Sequence, residues 1–225
     1  MWQTELVHLL GGPSGGGKTR WLIPMLHNQW SKGQKVMGHK VYPCEWAYVP
    51  LDRMMASVEQ SFETMGIKPY QVNIIPALDA GMTRIGQILD AAEYYQAKLI
   101  VIEMFSYLLE GPHTPEAIRD WMGAVGRMLH GTGMTIIGTM EAPKMKPKDF
   151  YKNPRQRISG HARWGHMAET VMLAEPNFKD ESKRIIGIYT RNDIAEEFDA
   201  KFDGGRLVIT RKRSRKSIVS DDEIK

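Results

Sequence analysis

An α/β fold, with a mainly parallel central sheet flanked by helices, is what the sequence predicts, and three observations predict it. Apolar β-like runs alternate with stretches of helical periodicity through most of the chain. A glycine-rich turn, GGPSGGGKTR at residues 11–20, lies between the first strand and the first helix. Past residue 168 the β-like runs crowd together with turn signals between them, which predicts a C-terminal extension of β-hairpins. With 225 residues and 42% apolar content, the chain can bury one sizeable core or at most two small ones, and one domain is expected.

The elements follow in order. ELVHLLGG reads as a short buried strand. From Lys18 to Trp30, the residues Leu22, Met25, Leu26 and Trp30 share one helical face up to Gly33, and Pro24 predicts a kink. WAYVPLD is the next strand, RMMASVEQSFETMG a helix ending at Gly66, and QVNIIPAL a further strand. Ile85, Ile88, Leu89 and Ala92 have the i, i+3, i+4, i+7 spacing of a helix. AKLIVIEMF is the most apolar strand of the set and is expected near the centre of the sheet. Thr114 and Pro115 start a helix that runs to about Gly131, followed by the strand MTIIGTM. ETVMLAE, KRIIGIYT and GGRLVIT are the late strands. A core over 1–210 and a basic, disordered tail over 211–225 are expected.

Composition excludes several classes. The net charge is only +4, but basic residues cluster at 144–157 and 211–216, which points to a polyanionic partner. The single cysteine, Cys44, cannot form an internal disulfide, and the N-terminus lacks the layout of a signal peptide. No apolar run approaches the roughly 20 residues of a membrane span. A soluble, cytoplasmic protein is expected. His161 and His166 flank Arg163 and Trp164 without the Cys or acid spacing of a zinc site; a helix with Arg163 or Trp164 near a subunit boundary is expected there instead.

The glycine-rich turn has a specific chemistry. Gly12, Pro13, Ser14, Gly15, Gly16, Gly17, Lys18 and Thr19 match G-x-x-x-x-G-K-[ST] in the strand-to-helix context this pattern requires. Backbone N–H groups must close around an anion with no side chains in the way, and the helix N-terminus adds partial positive charge. Lys18 is expected at the β and γ phosphates of ATP and Thr19 at Mg²⁺. Open α/β sheets place ligands at the carboxyl ends of their strands. LIVIE ends there in Glu103, a candidate for Mg²⁺ binding through water, and AYVPLD ends in Asp52, a candidate general base. Glu45 and Glu141 are the rival acids.

The order of these motifs resembles the RecA-like ATPases, and among them the core of DnaB-type and plasmid RepA-type replicative helicases. YVPLDRM resembles their strand ending in a catalytic acid, LIVIEMFSYLL their Walker B strand, and TIIGTMEAPK the strand whose polar end senses the γ-phosphate. The resemblance places catalysis on Asp52 and Glu103, the sensor on Glu141 or Thr139, and a following lysine on Lys144. GHARWGHMAETVMLAEP and IIGIYTRNDIAEEFDAKFDGG resemble the later strands of the group, with Arg191 at the position of the finger that reaches a neighbour's ATP. It covers about residues 5–210 and implies a homo-oligomeric ring, a hexamer. The N-terminal domain of the DnaB type and its linker helix have no counterpart, so a minimal core of the kind suited to a viral or plasmid genome is expected.

EAPKMKPKDFYKNPRQRIS carries Lys144, Lys146, Lys148, Lys152, Arg155 and Arg157, with Phe150 and Tyr151 among them. Cations suit phosphates and aromatics suit stacked bases, and the corresponding loop of RecA-like proteins touches single-stranded DNA. The expectation is therefore an ATP-driven ring acting on single-stranded DNA in replication or recombination. Two alternatives keep the ATP: a small-molecule or nucleotide kinase with segment 144–157 as its lid, and a nucleotide-gated scaffold with little turnover.

Overall fold

The protein is described by a computed structural model covering residues 4–143, 154–158, 162–177, 180–191 and 195–213. Among the described residues, nine strands form one sheet: β1 (Val7–Gly12), β2 (Trp46–Val49), β3 (Asn73–Ile74), β4 (Leu99–Ile102), β5 (Thr135–Glu141), β6 (Thr170–Asn177), β7 (Asp180–Thr190), β8 (Ala195–Asp203) and β9 (Arg206–Lys212). Their order is β3-β2-β4-β5-β1-β6-β7-β8-β9. The first six in that order pair in parallel, and the last three continue as antiparallel hairpins. β4 lies inside the parallel part, between β2 and β5, while β1 is the middle strand.

Side-chain alternation makes two cores, one on each face. Leu9, Ala47, Val49, Ile100, Ile102 and Ile136 pack with α3 (Ile85–Tyr94) and α4 (Pro115–Leu129), and Trp164 of the short α5 (Arg163–Met167) joins them. Leu10, Trp46, Tyr48, Val101 and Ile137 pack on the other face with α1 (Lys18–Met25) and α2 (Met55–Thr64). Strands covered on both faces read as continuous apolar runs, and VHLLGG, WAYV and LIVI do so. Thr114 caps α4 as expected, its Oγ1 accepting from the Ala117 N–H at 3.2 Å.

Four differences from the sequence-based expectations have local causes. Pro24 has no N–H to donate to the preceding turn. Just beyond it the helix widens to a π-turn over Leu26–Trp30, closed by Ser31 N–H donating to the Leu26 carbonyl at 3.0 Å. The strand predicted in QVNIIPAL is reduced to two residues at the edge of the sheet. AEEFDAKFD forms a fourth late strand: Phe198 and Ala200 are buried in alternation, while Glu196, Glu197 and Asp199 pair with Lys212, Arg213 and Arg211. Finally, β9 runs to Lys212, so the ordered core passes residue 210, and Arg211 belongs to a strand and not to a tail.

Candidate nucleotide and metal site

Topology brings the candidate groups to one edge of the sheet. β1, β2, β4 and β5 are parallel, so the turn after Gly12, Asp52, Glu103 and Glu141 all lie at their carboxyl ends, where Gly12 is level with Glu141. They line a cleft of about 520 Å³ between the glycine-rich turn and α2, whose Ser57, Gln60, Ser61 and Thr64 form the far wall. Glu45 precedes β2 and so sits at the opposite edge, where it accepts from Asn73; this removes it as a rival catalytic acid.

Backbone geometry in the turn explains its glycines. Gly17, with φ of 92°, occupies the left-handed region immediately before α1, and a Cβ there would stand 3.0 Å from the Phe202 ring. Gly12 passes so close to β6 that a Cβ would meet the Ala174 carbonyl at 2.6 Å. Lys18 Nζ folds back to the Gly12 and Pro13 carbonyls, at 2.8 and 3.1 Å. Burial lowers its pKa, opposed by the carboxylates of Glu141, Glu103 and Asp52, so this ammonium lacks full hydration in the cleft.

Glu103 is 7% exposed and stands at the centre of the acidic group. Its Oε1 accepts the Thr19 hydroxyl at 2.5 Å, joining two segments far apart in the chain. Since the hydroxyl proton is spent on Glu103, the lone pairs of Thr19 remain for a cation. Oε2 accepts from the Tyr48 phenol and from Arg53. Burial and the Glu103 carboxylate push Tyr48 well above its usual pKa, so it remains a donor. Met104, next in the chain, takes the left-handed conformation at φ 54° and donates its N–H to Thr139 Oγ1 at 3.3 Å. That strained residue turns the chain sharply after Glu103 and uses one side of the Thr139 hydroxyl. Glu141 is exposed at the cleft mouth. Asp52 lies solvent-exposed in the same cleft, its pKa raised by partial desolvation and by the nearby Glu103.

These residues fit ATP and Mg²⁺. Among the described residues no three His, Cys, Asp or Glu side chains converge on a cation position. A metal here would be held by the Thr19 hydroxyl, by Glu103 through water and by phosphate oxygens, the donor set that hard Mg²⁺ takes in such sites. Tyr48 and Arg53 are the site residues that sequence reasoning missed. The available signals were a hydroxyl in an otherwise apolar strand and a cation next to the strand-end acid.

The expected DNA-binding segment divides. Lys144, Lys146, Lys148, Phe150, Tyr151 and Lys152 lie outside the described residues. Arg155 and Arg157 do not belong with them: each is 9% exposed, and both point inward. Arg155 donates to the carbonyls of Gly165, Ala168 and Glu169, and Arg157 forms a buried ion pair with Glu175 at 2.9 Å. Their charges are used to anchor the chain, so their assignment as nucleic-acid contacts is corrected. Trp164 is fully buried against Phe105 and Trp121 of its own chain.

Arg191 lies at the other edge of the sheet. Because β7 is antiparallel to β6, its end is level with the start of β6, and Arg191 N–H donates to the Glu169 carbonyl. The side chain is 51% exposed, with Nη2 3.1 Å from the Met167 carbonyl and Nε 3.8 Å from Glu169 Oε2. It cannot reach the glycine-rich turn of its own chain. No helix among the described residues is long and apolar enough to cross a membrane.

No protein-family model matches the chain, and no curated protein matches it. Among solved structures it is similar to the crystal structure of a KaiC-like protein from the hyperthermophilic archaeon Pyrococcus horikoshii, with 17% identity and a TM-score of 0.63 over 93% of this chain and 91% of that one. At that identity the likeness is one of fold, and the fold of this chain is that of a RecA-like P-loop core with a C-terminal extension of β-hairpins.

Proposed function

We propose that the protein is an ATP-hydrolysing motor that assembles as a ring, a hexamer, and acts on single-stranded DNA in replication or recombination. The observation that carries the ATPase reading is the contact between Thr19 and Glu103, which joins the phosphate-binding turn to the strand-end acid in a cleft that also holds Asp52. The turn cradles the phosphates with its N–H groups, and Lys18 leaves its carbonyl partners to meet the β and γ phosphates. Bound Mg²⁺ supplies neutralisation of phosphate charge. Asp52 accepts the proton of a water whose oxygen attacks the γ-phosphorus; the bond to the bridging oxygen breaks, and ADP leaves.

Two features support the ring and the DNA. Arg191 is exposed at the edge opposite the cleft, where it can serve only a neighbour's ATP. The chain between Pro143 and Pro154 leaves β5 beside Glu141 and carries four lysines and two aromatics, a composition suited to phosphates and stacked bases.

The test is ATP hydrolysis by the wild type and by Lys18→Ala, each with and without single-stranded DNA. The expected result is turnover that DNA stimulates and that Lys18→Ala abolishes. Turnover that requires a small-molecule acceptor would establish a kinase instead. Negligible turnover with intact nucleotide binding would leave a nucleotide-gated scaffold.

A further inference from the structure

The two oxygens of Glu103 are treated differently. Oε1 accepts one donor, the Thr19 hydroxyl. Oε2 accepts three: the Tyr48 phenol, and Arg53 through Nε at 3.0 Å and Nη2 at 2.5 Å. A carboxylate oxygen offers about two lone-pair directions, so Oε2 is saturated. The acceptor capacity still open is on Oε1, beside the Thr19 oxygen.

Arg53 is itself pinned by three elements. Besides Glu103 after β4, its Nη2 donates to the Tyr48 oxygen of β2 at 2.5 Å, and Nη1 donates to Ser61 Oγ of α2 at 3.0 Å. Tyr48 in turn packs its ring on Phe62 of α2, with centroids 5.4 Å apart. Fork geometry of this kind fixes direction as well as charge, which an ammonium cannot do. Electrostatics alone would argue against a guanidinium here, because a fixed cation beside a metal site repels the metal. Its retention against the metal-side acid is explained if its effect is orientation.

We propose that Arg53, assisted by Tyr48, is a positioning residue for the metal site: it saturates Oε2 of Glu103 and so presents Oε1, next to the Thr19 oxygen, to a divalent cation. The proposal rests on the ATPase reading above. Partners of this kind, one step removed from a metal, affect its affinity by about 10–100-fold when they are removed.

The experiment uses the full chain and a fluorescent ATP analogue, with binding measured in EDTA and across a Mg²⁺ titration. For Arg53→Ala and Tyr48→Phe, the Mg²⁺ concentration giving half-maximal tightening should rise, by about 10-fold for the arginine variant. Affinity in EDTA should stay at the wild-type level. Arg53→Lys, which keeps the charge but loses the fork, should fall between wild type and Arg53→Ala. Tyr48→Phe retains the ring packing, so it reports on the clamp even if Arg53→Ala does not fold. An unchanged Mg²⁺ dependence in Arg53→Lys and Tyr48→Phe would overturn the proposal. So would an equal loss in EDTA and in Mg²⁺, which would make Arg53 a phosphate ligand. A wild-type chain that binds no analogue would overturn the ATPase reading itself, a failure visible before any variant is made.

Discussion

Asp52 has a carboxyl poised for proton uptake. Partial desolvation and the neighbouring Glu103 both disfavour its charged form, and Arg53 and Lys18 offset them only in part, so its pKa lies above the ordinary value. A stronger base is the result, at the cost of a narrower range of pH in which the base is ionised. As pH falls through the raised pKa, Asp52 takes up a proton and can no longer accept one from water. The acid limb of the kcat/KM profile, which reports the free enzyme, should therefore lie above pH 3.8, the ordinary aspartate value, and should vanish in the residual activity of Asp52→Asn. That variant should lose about 10²–10⁴-fold in kcat while binding ATP normally. If Glu141→Gln shows this behaviour and Asp52→Asn does not, the base is Glu141.

The segment after β5 shows how an element divides its charges. Its lysines precede residue 154, while Arg155 and Arg157 lock the returning chain to α5 and β6. Arg157→Ala would leave Glu175 buried and unpaired, and should destabilise the fold by about 3–5 kcal/mol in denaturant unfolding. Substituting the pair together, as Arg157→Met with Glu175→Leu, should recover most of that loss, because a well-packed apolar pair carries no desolvation cost. Lys144, Lys146, Lys148 and Lys152 changed together to Ala should weaken single-stranded DNA binding and flatten its salt dependence, since about 0.7 counterions are released per neutralised phosphate on a single strand. A salt slope that does not change would move the DNA contact elsewhere on the molecule.

At the scale of the whole molecule, the cleft and Arg191 lie at opposite edges of the sheet. In the proposed ring, one subunit's cleft edge would stack against the next subunit's Arg191 edge and complete every site. Arginine fingers are worth about 10³–10⁵-fold in rate, so Arg191→Ala should be nearly silent yet folded and competent to bind ATP. Mixed with Lys18→Ala subunits, each inactive alone, it should recover part of the activity. No recovery in a mixture shown to co-assemble would make Arg191 structural and remove the ring argument. The sequence by itself determined the glycine-rich turn between β1 and α1, because its pattern occupies eight contiguous residues, and it determined the alternation of strands and helices, because burial on both faces writes itself into local apolar runs. It also placed Glu103 directly after a strand, whereas β2 stops at Val49 and Asp52 lies three residues further on. Only the tertiary structure set Glu45 aside, since Glu45 and Asp52 flank the same strand and differ in which edge they occupy. It alone turned Arg155 and Arg157 inward, revealed β8 beneath its charged residues, and joined Thr19, Tyr48 and Arg53 on Glu103. The physical reason is common to all of these: a charged side chain is buried or exposed according to its partner, and the partners lie outside the local pattern, from 10 residues away for Arg155 and Gly165 to 84 for Thr19 and Glu103.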